Sequence, residues 1–493
     1  MSNEAADKLM KTATHEHDHA QNRFGVIPTP VRLDSDPART GRGVTIAFLD
    51  SGFYPHPDLT EPFNRIIAYQ DIAGEETSLA AHPSPRSWHW HGTQTSVVAA
   101  GNGRLSGGIY RGLASDAQVV LVKVSAEGEI TEENIARGIE WVIENQERYQ
   151  IRVLNISLGG DEDVACSQNI IDLAAEEAVR RGIVVVAAAG NSGCTEKHTS
   201  VPPANSPSVI TVGGYDDKNQ LGGRNYDLYC SNYGQTADGF VKPEIIAPAM
   251  WVATPILPGT ADYQRAESLS RLVHAPDYLL HSLFDNLWQE VGLPASLRHE
   301  RPEVIRSSVE SLLRQHKIVA THYQHGDGTS FAAPVVSSVV AQMMEANPRL
   351  TPASVRSILI SAADRIIHAP VIRQGYGVLN ARRAVELASC EKHLLERAGF
   401  GPPRVEDGRL VFLFHDDAAE RVALAGDFNG WDGSRTLFVK EESGIWRTEI
   451  DPPAAGRYRY KFIINGGWWV DDPHNGFKEP DGYGELNSVL SLT

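Results

Sequence analysis

The chain has 493 residues, 42% of them hydrophobic and 22% charged, with a formal net charge of −17. That length suits about two to four domains. The acidic balance excludes sequence-independent binding to nucleic acid, which needs a basic surface, and no apolar run reaches the ~18–20 residues of a membrane-spanning helix. The polar amino-terminal stretch has no basic start followed by an apolar run, so no secretory signal is expected. Cys166, Cys194, Cys230 and Cys390 are too sparse for a disulfide framework, which favours the cytoplasm; Cys166–Cys194 is the one pairing left open. His15, His17 and His19 alternate in a polar tail and read as solvated residues, not as metal ligands.

In chain order, short apolar runs at 44–49, 119–124, 153–158, 183–189 and 209–212 are rich in β-branched residues. Such runs suit strands buried on both faces of a parallel sheet. Helical patterns lie between them: Thr131 caps EENIARGIEWVIENQ, and SQNIIDLAAEEAVRR ends before Gly182. Alternation of strand and helix means βαβ units with helices on both faces. Residues 255–325 break the pattern. Two amphipathic stretches, 276–291 and the one after Pro302, predict an inserted helical hairpin packed on its own domain. Helices return near 352–363 and 381–388. After a Gly/Pro-rich change of texture at 399–408, short alternating runs at 411–414, 422–425, 446–450 and 458–464 predict a small β-sandwich.

Three residues stand where acyl-transfer chemistry needs them. Asp50 ends the first buried run in LDSG, and in open parallel sheets chemistry gathers at the carboxyl ends of strands. His91 lies in WHWHGTQTSVVAAG, where Gly92 and Thr93 suggest a helix beginning beneath the ring; nearby His89 lacks that context. Ser330 lies in DGTSFAAPVV, where Gly328 permits close backbone approach and Pro334 is expected in a first helical turn. A serine at a helix N-terminus gains from the positive end of the dipole. Asn191, in AAAGNSG, supplies an amide suited to a developing oxyanion.

The order LDSG, HGT, GTSFAAP resembles the subtilisin family, and LNISLGG, AAAGNSG, KPEIIAPA, TPASVRSIL and GYGVLNARRAV agree with it over about residues 40–390. The resemblance implies a serine endopeptidase with the catalytic triad Asp50, His91 and Ser330. It implies an oxyanion hole of Asn191 and the Ser330 backbone N–H. Ser157, Leu158 and Gly159, with the segment holding Ala188 and Gly190, would bind substrate. No cofactor is expected to be required. The loop GNGRLSGGIYRG after His91 lacks the calcium-binding extra loop of secreted relatives, so no metal site is assigned and a structural calcium stays open. Intracellular members are the more similar ones. In them a short amino-terminal extension can block the site, so extended FGVIPTPVRL (24–33) is expected to inhibit, and trimming about 30 residues to raise activity.

Residues 408–493 carry LAGDFNGWDG, YRYKFIINGGWWVDDP and GELNSVLSL. They resemble the glycogen-binding module of AMP-activated kinase β subunits, an immunoglobulin-like β-sandwich. The resemblance places Trp431, Lys461, Trp469 or its neighbour Trp468, and Asn487 at sugar-contacting positions, with indole faces stacking on sugar C–H faces. The expected organisation is an extension (1–39), a peptidase domain (40–390) with the insertion (255–325), a linker (391–407) and the sandwich (408–493). Expected partners are protein or peptide substrates and an α-glucan, with neither nucleic acid nor membrane. The competing reading is a silent scaffold that only binds. A glycan-cleaving enzyme would need a further domain to carry paired carboxylates.

Overall fold

The computed structural model describes residues 25–492 apart from 75, 77, 82–83, 161–163, 195–198, 222–225, 391–401, 417, 442–443, 476–477 and 484. The three tail histidines and much of the expected linker lie outside the described residues.

Seven parallel strands form the central sheet: β1 (Thr45–Asp50), β2 (Ile66–Asp71), β3 (Gln118–Lys123), β4 (Ile151–Ile156), β5 (Val184–Ala188), β6 (Ile210–Asp216) and β7 (Ile245–Pro248). Their spatial order is β7-β6-β5-β4-β1-β3-β2, with Asp227–Leu228 pairing antiparallel to the end of β6. Strand β1 is central, and both faces of it are buried. Ile46 and Phe48 join one core, with helices His89–Ala100 and Thr329–Ala346; Ala47 and Leu49 join the other, with helices Glu132–Glu144 and Ile170–Arg180. Burying a side chain such as Phe48 contributes about 1.5–3 kcal/mol, so the continuous apolar runs follow from double coverage. This is the expected α/β fold, a parallel sheet with helices on both faces.

The two edge strands of the sheet, β2 and β7, were not marked by apolar runs. Strand β2 is half-exposed along five of its six residues, and β7 is four residues ending in proline. An edge strand buries less and tolerates Pro, so its sequence signal is weak.

The insertion holds three helices, Ala261–His274, Asp277–Leu287 and Pro302–Gln315, where a hairpin of two was expected. The extra helix is largely polar; it buries Ala266, Leu269 and Leu272 against Phe284, Ile305 and Val309 in a core of its own. Strands Ile318–Ala320 and Tyr323–Gly326 return the chain beside Val252–Pro255. Tyr323 donates its hydroxyl to buried Asp58 at 2.6 Å, tying the insertion to the peptidase body.

The segment before the sheet is not the extended strap the prolines suggested. Thr29–Arg32 is one helical turn, and Val26, Ile27 and Leu33 are buried. Arg32 pairs with Asp217 at 3.3 Å and donates to the carbonyls of Met250 (2.8 Å) and Trp251 (3.0 Å).

The carboxyl-terminal domain is a β-sandwich. One antiparallel sheet contains Arg404–Glu406, Arg409–His415, Ile445–Ile450 and Val439–Lys440; the other contains Val422–Gly426, Gly456–Ile464, Leu486–Leu492, Lys478–Pro480 and Trp468–Val470. Leu410, Phe412, Phe414, Leu424, Trp446, Tyr460, Phe462 and Leu490 fill the space between them. The sandwich thus begins at Arg404, inside the expected linker.

Candidate active site

Asp50 closes β1 and is 1% exposed. A buried carboxylate needs hydrogen bonds on both oxygens. Its Oδ1 accepts from the Ser51 N–H at 2.7 Å and pairs with His91 Nδ1 at 2.8 Å; its Oδ2 accepts from the Thr95 hydroxyl at 3.0 Å. His91 and Thr95 are four apart on one helix and therefore share a face. Gly92 must lack a side chain, because a Cβ there would sit 2.4 Å from the Gly52 carbonyl oxygen and 2.9 Å from Asp50 Cβ. Burial pushes the His91 imidazole down, but the Asp50 carboxylate outweighs it, and the net shift is upward from the ordinary histidine value.

Ser330 is the second residue of helix Thr329–Ala346. Gly328, at φ 147°, makes the turn into it and donates its N–H to Ala249 O at 2.8 Å. Phe331 brings this helix against His91, with ring centroids 6.0 Å apart. Pro334 lies sixth in the helix, not in its first turn as expected. The displacement has a chemical consequence: without an N–H, Pro334 leaves the Ser330 carbonyl without its helical donor. Ser157 fills the vacancy, donating its hydroxyl to Ser330 O at 3.0 Å. Asn155 donates to that hydroxyl at 2.9 Å and accepts from Ser337 at 2.9 Å. The Ser157 side chain therefore faces inward as a brace, while Leu158 is half-buried and Gly159 is exposed.

Asn191 is exposed. Its Oδ1 accepts from the Thr329 N–H at 2.9 Å and hydroxyl at 3.1 Å, which leaves the amide N–H₂ outside these bonds. Gly328 lies between the two groups of interest: a Cβ on it would be 3.2 Å from Ser330 Oγ and 3.7 Å from Asn191 Oδ1. Half-buried Ala188 and Gly190 lead into this turn at the end of β5.

Four supports escaped the sequence reading: Thr95, Thr329, Asn155 and the disulfide Cys194–Cys230. The disulfide replaces the Cys166–Cys194 pairing left open above; Cys166 is free. Cys230 wins because its own carbonyl accepts the Gly193 N–H at 2.9 Å, bringing its segment beside Cys194. Among the described residues no group of three or more His, Cys, Asp or Glu is arranged to hold a metal ion.

The sandwich carries a second constellation. Trp431 and Trp469 face each other at 6.3 Å and 31°. Trp431 packs with Ala423, Ala425 and Ile463 on the outer face of a sheet, and Trp469 pairs with Ile463. Trp468 pairs instead with Ile464, which packs toward the core, so it lies on the opposite side, 74% exposed. Lys461 pairs with Ala425, sharing the face of Trp431, but its ammonium is taken by Asp481 (2.7 Å) and Glu485 (3.1 Å). Asn487, one residue before the Ser488 that pairs with Tyr460, is buried beside it.

A buried carboxylate orienting an imidazole at the carboxyl end of a parallel sheet, beside a serine at a helix N-terminus, is an arrangement of the serine hydrolase class. Residues 41–377 match the subtilase family (Peptidase S8), and the chain belongs to that family. It is a subtilisin-type serine endopeptidase. Residues 399–478 match carbohydrate-binding module 48, the isoamylase N-terminal domain. Serine protease AprX of Bacillus subtilis (strain 168) is 31% identical over 354 residues, 70% of this chain and 67% of that one. Subtilisin BL of Lederbergia lenta is 34% identical over 182 residues, covering 36% of this chain and 58% of that one. In fold, the chain is similar to fervidolysin from Fervidobacterium pennivorans, a keratinolytic enzyme related to subtilisin. The TM-score is 0.50 at 21% identity, over 86% of this chain and 53% of that one.

Proposed function

We propose that this endopeptidase works through Asp50, His91 and Ser330 by way of an acyl-enzyme. The carrying observation is the 2.8 Å bond between Asp50 Oδ1 and His91 Nδ1, on a ring whose centroid lies 6.0 Å from that of Phe331, the residue after Ser330. His91 Nε2 takes the Ser330 hydroxyl proton as Oγ attacks the scissile carbonyl carbon. The tetrahedral oxyanion is met by the Asn191 amide and the Ser330 N–H. His91 then gives the proton to the leaving amine, and the ester left on Ser330 is hydrolysed by water in the same two proton transfers. Segment 157–159 aligns extended substrate as an added strand, with exposed Gly159 leaving its backbone approachable. Leu158, Ala188 and Gly190 line the first specificity pocket. No step calls for a cofactor, and the described residues assign none to a structural calcium.

The sandwich is read as an α-glucan-binding module, with Trp431 and Trp469 as the stacking pair and Asn487 beneath. Lys461 is there a support held by acids, not a free donor. Cytoplasmic residence rests on the scarcity of cysteines, and the closed Cys194–Cys230 bond counts against it, because a cytoplasmic thiol pool keeps such pairs reduced.

The test of the peptidase is labelling of the full chain by a fluorophosphonate. Labelling is expected in the wild type and absent in Ser330→Ala; labelling that persists in Ser330→Ala would assign the nucleophile elsewhere. Asn191→Ala is expected to lower kcat by about 10²–10³, a figure measured in a subtilisin itself. Retention on glycogen that survives both Trp431→Ala and Trp469→Ala would remove the glucan reading.

A further inference from the structure

Asn191 is exposed, and its placement depends on what holds residues 190–194. On one side Thr329 holds it, as described. On the other, the loop is zipped to residues 230–232. Asn232 donates its N–H to Gly190 O at 3.1 Å and accepts from the Ser192 N–H at 2.8 Å, and Gly193 donates to Cys230 O at 2.9 Å. Gly190, at φ 99°, is pressed so closely on Asn232 that a Cβ would lie 2.7 Å from its amide nitrogen. The disulfide Cys194–Cys230 closes the far end of this zip, three residues beyond Asn191. The anchoring segment is itself fixed: Ser231 accepts the Gly214 N–H from β6 at 2.7 Å, and Asn232 donates its side chain to Thr199 O at 3.1 Å.

We propose that Cys194–Cys230 and Asn232 form a clasp that positions the Asn191 amide for the oxyanion, so that full turnover requires the disulfide to be closed. The proposal rests on the reading of Asn191 as an oxyanion donor. Both cysteines act through Asn191 and touch no substrate, so they are positioning residues. The clasp is open to chemistry, because Cys194 is exposed. The thiolate of an external dithiol attacks Cys194 Sγ and breaks the S–S bond, and Cys230 leaves as a thiolate that takes a proton. The second thiol of the reductant then displaces Cys194, leaving two protein thiols and the reductant as its own disulfide. Cys166 does not compete in this exchange: burial chiefly, then its acidic neighbours, push its thiol up to about 12.

The experiment measures kcat and KM of the full chain on a peptide substrate, oxidised and after treatment with dithiothreitol. The same is done for Cys194→Ser/Cys230→Ser and for Asn191→Ala in both redox states, each with a melting curve. Reduction is expected to lower kcat at least about tenfold, and at most by the roughly 10²–10³ that loss of the Asn191 donor costs. KM should stay within about twofold, since the lost interaction belongs to the transition state. Reoxidation should restore kcat. The serine pair should match the reduced enzyme and ignore the dithiol. In Asn191→Ala, reduction should change kcat no further, because two changes acting through one group are not additive.

An unchanged kcat on reduction overturns the clasp. So does an equal fall in Asn191→Ala, or a fall that merely follows melting of the chain at the assay temperature. An oxidised chain that neither cleaves peptide nor labels with fluorophosphonate would instead sink the triad reading on which the clasp rests.

Discussion

A carboxylate bonded to one nitrogen of an imidazole fixes the tautomer of the ring and raises its affinity for a proton. For His91 the two consequences run in opposite directions with pH. Catalysis needs the neutral ring, so kcat/KM is expected to rise with pH through a value above the ordinary imidazole pKa. Stability has the other sign: the protonated pair supports the fold fully below the unfolded histidine value, and that contribution is lost as pH rises through the raised one. Asp50→Asn should cost about 10⁴ in kcat and move the acid limb of the profile down. A limb that stays in place would mean that another group sets it. The residues at the centre were legible because each sits in a short local motif. Their supports were not, since Thr95 reaches a carboxylate 45 residues away and Ser192 reaches Asn232 across 40. A single sequence does not announce such pairings.

At the scale of elements, Pro334 and Ser157 make one device. The proline removes the donor that would bind the Ser330 carbonyl, and a hydroxyl from the end of β4 supplies it. Ser157→Ala should therefore destabilise the chain by about 1–3 kcal/mol, the cost of a buried acceptor left unmade. In a Pro334→Ala background, where the helix regains its N–H, the same change should cost less. Equal costs in chemical denaturation of the two backgrounds would separate the residues. The amino-terminal segment is a second case. Its prolines suggested an extended inhibitor, but Arg32 is buried in an ion pair with Asp217, both side chains at most 5% exposed. Removing residues 1–24 leaves that pair intact, whereas removing 1–36 strands Asp217. The longer cut is expected to cost about 3–5 kcal/mol, as breaking a buried pair does, and to lower peptidase activity at the assay temperature. A longer cut that activates would instead support the inhibitory reading. The apolar runs made the central strands readable, while the edge strands bury too little to mark themselves and the first helix of the insertion hides its buried residues in a largely polar sequence.

In the whole molecule the sandwich is built onto the peptidase. His474 Nδ1 meets the Ser357 hydroxyl at 2.9 Å, and Tyr376 donates to Asp471 at 3.3 Å. Beneath them Lys478, 2% exposed, pairs with Asp471 at 2.6 Å, donates to Ser488 at 2.9 Å and lies 6.0 Å from the centre of the Tyr376 ring. Burial chiefly drives His474, at the contact, down to about 4, and Asp472, bonded within the sandwich to the Tyr460 hydroxyl, up to about 6. Acidification consequently acts on the contact and on the sandwich with opposite signs. The depressed His474 weakens the contact as pH falls from the ordinary imidazole value through about 4, while the raised Asp472 stabilises the sandwich as pH falls through about 6 toward the ordinary carboxylate value. Lys478 is the cation that holds Asp471 ionised. Lys478→Met keeps the length of the side chain but takes the cation from half-buried Asp471, at a cost of about 1–3 kcal/mol. Because Asp471 also receives the Tyr376 hydroxyl, that cost falls on the junction as well as on the sandwich. Calorimetry should then show two transitions, the sandwich melting first, where the wild type is expected to show one. One transition shifted as a whole would mean that the domains are coupled elsewhere, through the Arg457 contact with Gly239 on the neighbouring strand turn.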